Sequence, residues 1–296
     1  MGRMIFSAFL THAIKSKVEK YEDIMIPSYE AIIAPRHVTV SGIYNMRDLG
    51  GLRRANGQQT KQHVVYRADN LGWLNPEGVS ALEDLGIRTV IDLRSDSEVT
   101  STPNPFRSHS SICYLHIDFL GTLIDFLSTL REPSSGEGEW YQSKSPDGLL
   151  ELPVYLNVRK YWKWLVECQV QLRAVIEALS AVNATPAVFH CVGGKDRTGV
   201  VAALLQSLSG VDDAVIAADY THTARNNTAG LLSVHGPVQS PIKDYLDYQR
   251  QFCPAETMLL LLFMIQVHYG TTEAYLRHIG INSATMDRLQ QLLVGS

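Results

Sequence analysis

The hydrophobic pattern of this chain alternates between short apolar runs and longer stretches with helical spacing. Three apolar runs predict buried strands, at residues 88–93, 112–119 and 187–190. One helix is predicted before the first run, beginning at Pro76, and another after the third run, over residues 199–208. Because strands that alternate with helices are typical of an α/β fold, we expect a central sheet flanked by helices.

The region before these strands has a different texture. The β-branched runs at residues 38–40 and 64–66 flank turns at Gly50 and at Asn56-Gly57, which predicts a small antiparallel element. Residues 1–36 mix charged and apolar positions at helical spacing and are then interrupted by prolines, so they predict an N-terminal helical arm. The remainder, residues 37–296, is expected to form one catalytic domain.

A long insertion, about residues 121–180, separates the second and third predicted strands. Residues 132–149 are rich in Pro, Ser, Gly and charge and predict a loop. Residues 153–181 predict an amphipathic helix, and its aromatic residues Tyr155, Tyr161, Trp162 and Trp164 favour packing in the core over ligand contact.

Composition and charge narrow the classes of partner and cofactor that this chain is expected to bind. A formal net charge of -4 argues against broad attraction to nucleic acid but permits a local anion pocket. The four cysteines are far apart and form no CxxC pair, so we expect reduced thiols, a cytoplasmic protein and no metal or other cofactor. The longest late apolar run, residues 258–265, is too short to span a bilayer and predicts a buried helix without stable membrane insertion.

The candidate chemistry lies in residues 190–199, His-Cys-Val-Gly-Gly-Lys-Asp-Arg-Thr-Gly, between a predicted strand and a predicted helix. A loop of this length can turn successive backbone N–H groups inward, and the helix N-terminus adds its positive dipole. We expect it to cradle phosphate through Val192, Gly193, Gly194, Lys195, Asp196, Arg197 and Thr198.

The same field favours a thiolate at Cys191, which is the expected nucleophile. The planar fork of Arg197 suits two phosphate oxygens, a geometry that lysine does not provide. Thr198 is placed to donate a hydrogen bond to the thiolate, and His190 to orient the loop. A rhodanese-like sulfurtransferase uses a related loop that is usually one residue shorter, so the spacing here favours phosphoryl transfer.

The segment HCVGGKDRTG resembles the HCxxGKDRTG loop of the atypical tyrosine and phosphoinositide phosphatases. Residues 44–51 resemble that family's NxRDLGG, residues 85–98 its LGxxTVxDLRSxxE, and Tyr66-Arg67 its YRS, with Ala68 in place of Ser. The resemblance covers most of residues 44–293. It implies a protein tyrosine phosphatase-like, mostly parallel sheet of four to five strands flanked by helices, with a helical lid in some members. The helix after Pro153 is our candidate for part of that lid.

The resemblance implies a cysteine-dependent phosphatase. It would hydrolyse phosphotyrosine, a phosphoinositide or a small phosphorylated metabolite through a phosphocysteine intermediate. Two alternatives stay open: a pseudo-enzyme that only binds phosphate, and the same fold recruited for another reaction on a phosphorylated or pyrophosphorylated biosynthetic intermediate. Lys195, a cation beside the cradle, has two interpretations: it meets a second phosphate or an acidic head group, which favours phosphoinositides, or it is a solvated residue on the crest of the loop.

Several carboxyls compete to protonate the leaving oxygen. Asp196 inside the loop is the first candidate, Asp118 at the end of the second strand is the next, and Asp125 stays possible because the expected proline-containing loop is missing. Asp92, Arg94, Asp96 and Glu98 predict a charge network at a strand end. Asn45, Arg47 and Asp48 predict a polar turn that braces the phosphate loop.

Overall fold

The computed structural model describes residues 24–123, 148, 150, 152–235 and 244–294. Within them lies a five-stranded sheet of order β1-β2-β5-β3-β4. Its strands are β1 (Arg47–Asp48), β2 (Val65–Ala68), β3 (Thr89–Asp92), β4 (Cys113–His116) and β5 (Ala187–His190). Strand β1 is antiparallel to β2, and the other neighbours are parallel, which confirms the predicted mostly parallel sheet.

Helices surround this sheet, as predicted. In the described chain they are α1 (Tyr29–Ile32), α2 (Pro76–Asp84), α3 (Asp96–Ser101), α4 (Leu152–Glu167), α5 (Gln169–Ser180), α6 (Asp196–Leu208), α7 (Asp213–Thr221), α8 (Thr223–His235), α9 (Tyr245–Phe252), α10 (Ala255–Tyr269), α11 (Thr272–His278) and α12 (Ser283–Val294). The predicted start of α2 is confirmed, because the Asn75 side chain accepts a hydrogen bond from the Gly78 N–H and Pro76 opens the first turn.

Strand β5 lies at the centre of the sheet and is covered on both faces. Its residue Phe189 belongs to the larger hydrophobic core, which includes residues of α4, α5, α6, α7 and α10. The preceding Val188 belongs to a smaller core on the opposite face, with Leu82 of α2. Successive residues of a strand point to opposite faces, so a strand buried on both sides needs an uninterrupted apolar run. This burial fixes the strand that leads into the candidate loop.

Two predicted elements differ from the structure. The run at residues 64–66 does lie beside an antiparallel partner, but β2 also pairs in parallel with β5 and so belongs to the main sheet. The single helix predicted over residues 153–181 is instead α4 and α5, which separate at Cys168. Local strand propensity does not identify the second partner of a strand, which explains the first difference.

Helix α4 was the candidate for part of a lid. Its Tyr161, Trp164 and Leu165 are fully buried in the larger core, as the aromatic pattern predicted. These contacts pack α4 against the core beside the loop, and its part in a lid stays a prediction.

The remaining segment predictions concern the arm, the insertion and the late apolar helix. Of the arm, residues 1–23 lie outside the described residues, and Arg36 is buried against the catalytic domain. Most of the loop predicted at 132–149 also lies outside them.

In the described parts of the chain, one helical stretch, Tyr245–Tyr269, is long and apolar enough to cross a membrane, yet 61% of its apolar window is buried in the fold. It breaks at Cys253 and Pro254, and the buried helix predicted at 258–265 is confirmed within α10.

Candidate active site

The candidate loop connects the end of β5, His190, to the first residue of α6, Asp196. Gly194 adopts a positive φ of 60°, and a Cβ on it would lie 2.5 Å from the carbonyl oxygen of Ala68. Both the left-handed backbone and the contact with β2 therefore require glycine at this position. The predicted strand, turn and helix around the loop are confirmed.

The carbonyl groups of the loop are held from outside. Asn45 Nδ2 donates to Gly193 O at 3.0 Å and to Gly194 O at 3.3 Å. Asn227 Nδ2 donates to Gly193 O at 3.1 Å, and Arg67 Nη2 donates to Gly194 O at 2.7 Å. In a trans peptide the N–H points opposite to the C=O. The following N–H groups are thus turned to the other side of the loop, which is the orientation that an anion-binding nest requires.

The thiol of Cys191 lies at the start of this loop and is buried. Thr198 Oγ1 donates a hydrogen bond to Cys191 Sγ over 3.1 Å, as the sequence predicted. His190 Nδ1 lies 3.1 Å from the carbonyl oxygen of Cys191, and Asn104 Nδ2 lies 2.9 Å from His190 Nε2. The imidazole thus fixes the backbone next to the thiol, as expected of a residue that orients the loop.

Arg197 is held at one edge of its guanidinium by Glu98 of α3. Its Nη1 donates to Glu98 Oε2 at 2.6 Å and its Nη2 to Glu98 Oε1 at 2.9 Å. Nη1 also donates to Leu93 O at 3.2 Å. A guanidinium has five N–H donors. Among the contacts of the described residues, the pair formed by Nε–H and the second Nη2–H is left for a ligand, and this pair suits two oxygens of one phosphate.

The carboxylate of Asp196 faces two lysines and a tyrosine. Lys160 Nζ donates to Oδ1 at 2.5 Å, Tyr161 OH donates to the same oxygen at 2.7 Å, and Lys195 Nζ lies 3.5 Å from Oδ2. Burial works to raise the pKa of Asp196, but both lysines and these hydrogen bonds outweigh it and hold the pKa below its ordinary value. These contacts favour the carboxylate form of Asp196 over the protonated form, and the role of proton donor stays a prediction.

Lys195 does not lie in open solvent. Its Nζ donates to Phe252 O at 3.1 Å and lies 5.3 Å from the Phe252 ring centroid and 5.9 Å from that of Tyr248. The side chain is only 12% exposed. Helix α9, which carries both aromatic residues, thus packs over the loop at this lysine, and a second phosphate would have to compete with the Phe252 carbonyl.

Asp118 lies just after β4, apart from the loop. Its Oδ1 accepts hydrogen bonds from the N–H groups of Leu120, at 3.2 Å, and Gly121, at 2.9 Å. Its Oδ2 lies 3.4 Å from the N–H of Asp96, at the start of the helix that carries Glu98. The half-buried carboxyl is thus next to the helix that holds Arg197. Asp125, the third candidate, lies outside the described residues.

The charge network predicted after β3 is confirmed for one pair, Arg94 with Asp92 at 2.6 Å, both fully buried. Glu98 instead serves the active site through Arg197, a role that sequence reasoning missed. The local signal for its position was a capping box, since Ser95 and Glu98 exchange hydrogen bonds at the start of α3. The bonds from Arg197 overcome burial and lower the pKa of Glu98.

A buried cluster of Arg36, Arg47, Arg67 and Asp219 supports the loop from below. Asp219 is fully buried and accepts from Arg36 Nη2 at 2.6 Å, Arg67 Nη1 at 2.6 Å and Arg47 Nε at 3.0 Å. The three arginines overcome burial and hold the pKa of Asp219 far below its ordinary value. Arg47 Nη1 also donates to Asn45 Oδ1 at 2.5 Å, so the predicted bracing turn is confirmed. The convergence on Asp219 was not predicted.

A thiol and an arginine lie at the two ends of this loop, at the point where a central parallel strand meets a helix. This arrangement defines a cysteine-dependent phosphatase. The chain belongs to the tyrosine phosphatase family, whose model matches residues 38–295. It is 28% identical over 233 residues to a tyrosine-protein phosphatase of Nostoc commune, covering 77% of this chain and 73% of that protein. It is 27% identical over 286 residues to the triple specificity protein phosphatase PtpB of Mycobacterium tuberculosis, covering 86% and 98%.

Proposed function

We propose that this phosphatase hydrolyses phosphate monoesters through a phosphocysteine on Cys191. The observation that carries the proposal is the thiol, hydrogen-bonded by Thr198 and followed by a loop that Arg197 completes. Sγ attacks phosphorus, the bond to the leaving oxygen breaks, and the free edge of Arg197 binds two equatorial oxygens. Water then attacks the phosphocysteine, which releases phosphate and regenerates the thiolate.

The two proton transfers are assigned to different carboxyls. Asp196 already accepts hydrogen bonds from Lys160 and Tyr161, so it suits the second step, in which water loses a proton. Protonation of the leaving oxygen is assigned to Asp118. Among the described residues, its Oδ2 has only a long contact, to the Asp96 N–H. This assignment reverses the order of the candidates that the sequence favoured.

Phosphotyrosine is the proposed substrate. Membership in the tyrosine phosphatase family supports this choice. Phosphoinositides are a second candidate, because Lys160, Lys195 and Arg197 bring three cations to one site. The relative named as a triple specificity phosphatase also supports a broad range of substrates.

The test is hydrolysis of p-nitrophenyl phosphate by the wild type, Cys191→Ser and Arg197→Ala. We expect turnover in the wild type and losses of at least about 100-fold in both variants, the range seen when a nucleophile or an electrostatic group is removed. A wild type that binds phosphate but never turns over would instead show a pseudo-enzyme.

The proton donor is tested with aryl phosphates of increasing leaving-group pKa. Asp118→Asn should fail most on the poorest leaving groups. Asp196→Asn should instead bring substrates with good leaving groups to one common, lower kcat, because the phosphocysteine is the same for all of them. The reverse pattern would restore Asp196 as the acid, and a leaving-group dependence confined to Asp125→Asn would move the role there. A panel of a phosphotyrosine peptide, a phosphoserine peptide and a phosphoinositide then ranks the substrate classes.

A further inference from the structure

Two side chains from outside the loop reach its acidic residue, Asp196. Lys160 lies on α4, 36 residues before Asp196, and its Nζ is 2.5 Å from Asp196 Oδ1. Tyr161, the next residue on the helix, donates to the same oxygen at 2.7 Å. Two donors from a wall of the core therefore fix one oxygen of a carboxylate at the edge of the phosphate loop.

The position of Lys160 is itself determined by packing. Its Nζ donates to Asn157 Oδ1 at 3.1 Å, one helical turn away. The same ammonium lies 5.0 Å from the Tyr161 ring centroid and 5.6 Å from that of Trp164, within cation–π range. The side chain is 19% exposed. A lysine side chain in solution samples many rotamers, and these contacts offset part of the entropy that is lost when Lys160 is held in one geometry.

The two oxygens of Asp196 have different surroundings. Oδ1 receives Lys160 and Tyr161, whereas among the described residues Oδ2 has only the 3.5 Å approach of Lys195. Lys195 is in turn bonded to Phe252 O at 3.1 Å. Oδ2 therefore keeps lone pairs for a further donor, and a water molecule is such a donor.

Charged and titratable groups from several elements face Asp196. They are Lys160 and Tyr161 of α4, Lys195 and Arg197 of the loop and α6, Tyr220 of α7, Tyr248 of α9, and Cys253 after it. The cations in this set are Lys160, Lys195 and Arg197. Of these, Lys160 makes the shortest contact with the carboxylate.

We propose that Lys160 is a positioning residue for the hydrolysis of the phosphocysteine. It holds Asp196 as an oriented carboxylate whose Oδ2 accepts a proton from the attacking water. The water oxygen bonds to phosphorus, the P–S bond breaks with its electron pair on Sγ of Cys191, and the proton moves to Oδ2. The inference rests on the proposed function, because it needs a phosphocysteine to hydrolyse.

The test separates the two chemical steps by rapid mixing with p-nitrophenyl phosphate. In Lys160→Met, formation of the phosphocysteine should persist and be seen as a burst of about one nitrophenolate per enzyme. The steady rate that follows should be about 10- to 100-fold below that of the wild type, which is the usual loss when a supporting partner is removed. Without the cation the pKa of Asp196 rises, so the acid limb of the kcat profile should move to higher pH.

Matched variants separate charge from packing. Lys160→Arg should recover most of the steady rate. Lys160→Gln, which keeps a donor but no charge, should show the same upward shift of the acid limb. The control is Lys163→Met on the same helix, where Lys163 pairs with Glu167 through a 2.5 Å contact, and it should behave as the wild type. In an Asp196→Asn background, Lys160→Met should cause no further loss.

Several results would overturn the inference. It fails if Lys160→Met matches the wild type, if it slows burst and steady phases equally, or if its loss persists undiminished beside Asp196→Asn. If Lys160→Met does not fold, as judged by circular dichroism, the pH profile of Lys160→Gln decides instead, and an unshifted acid limb rejects the proposal. A wild type with neither burst nor turnover would refute the proposed function and this inference together.

Discussion

Replacing Asp219 with Asn tests the buried charge cluster under the loop. Asp219 is the shared acceptor of Arg36, Arg47 and Arg67, and all four side chains are buried. Three guanidinium groups and one carboxylate give a formal charge of +2, which the substitution raises to +3. Asn also brings an N–H₂ group toward three cationic donors. The variant thus leaves buried charge without compensation.

The expected loss follows from that geometry. Removing one partner of a buried ion pair costs about 3–5 kcal/mol, so we expect the free energy of unfolding to fall by about 4 kcal/mol. For a chain of 296 residues that corresponds to a drop in Tm of about 6 °C. Urea unfolding followed by circular dichroism should show a lower midpoint with an unchanged slope, because the exposed surface does not change.

An exposed pair provides the control. Arg225 contacts Glu30 at 2.6 Å with both side chains largely in solvent, so Arg225→Gln should leave the midpoint where it is. The reasoning is refuted if Asp219→Asn loses less than about 1 kcal/mol, or if both variants lose equally. Either result would mean that the buried arginines do not depend on this carboxylate.

Three further predictions concern the loop and the acid range. Gly194→Ala should abolish most activity, because its Cβ would meet Ala68 O at 2.5 Å. Its control, Gly57→Ala, has a φ of 83° and open space around it, so it should keep activity and lose only about 1 kcal/mol of stability. Equal kcat/KM for the two variants would contradict this reasoning. Thr198→Ala removes the 3.1 Å hydrogen bond to Sγ, so alkylation by iodoacetamide at pH 6 should slow by about tenfold, and an unchanged rate would exclude that bond. Asp196, Asp219 and Glu98 have lowered pKa values in the fold, so their stabilisation is complete above the unfolded values near pH 4 and is lost as pH falls below them. Tm measured from pH 7 to 3 should therefore decline in that acid range, and less steeply in Asp219→Asn, which lacks the most strongly shifted of these carboxylates.

The sheet and the loop were predictable because their signals are local. Residues 187–190 form β5 with the predicted bounds, and the apolar run there reflects burial on both faces. The contact of Thr198 with Cys191 also follows from short spacing within one strand-to-helix turn. A motif of ten residues therefore specified both its own geometry and the elements on either side.

The surroundings of Asp196 were not predictable in the same way. Asp196 was the first candidate for the proton donor, and its place in the loop suggested only the phosphate and Arg197 as neighbours. Lys160 and Tyr161, which keep it ionised, come from a helix 36 and 35 residues away. Helical periodicity marked Tyr161 as a core residue but did not identify the carboxylate at its hydroxyl. Protonation in a buried site depends on such long-range partners.

The same limit applies to the residues that hold the loop, because they come from distant segments of the chain. Asn45 and Arg47 come from the segment at residues 44–51, Arg67 from β2 and Asp219 from α7. Each is far from Cys191 in sequence, yet Asn45 and Arg67 hold the carbonyls of the loop, and Asp219 holds both arginines. A peptide that turns its C=O outward turns the next N–H the other way, so these side chains favour from outside the N–H orientation that the predicted anion nest needs. The loop sequence supplies glycine where the backbone must bend, and residues far away in sequence determine which way its N–H groups point.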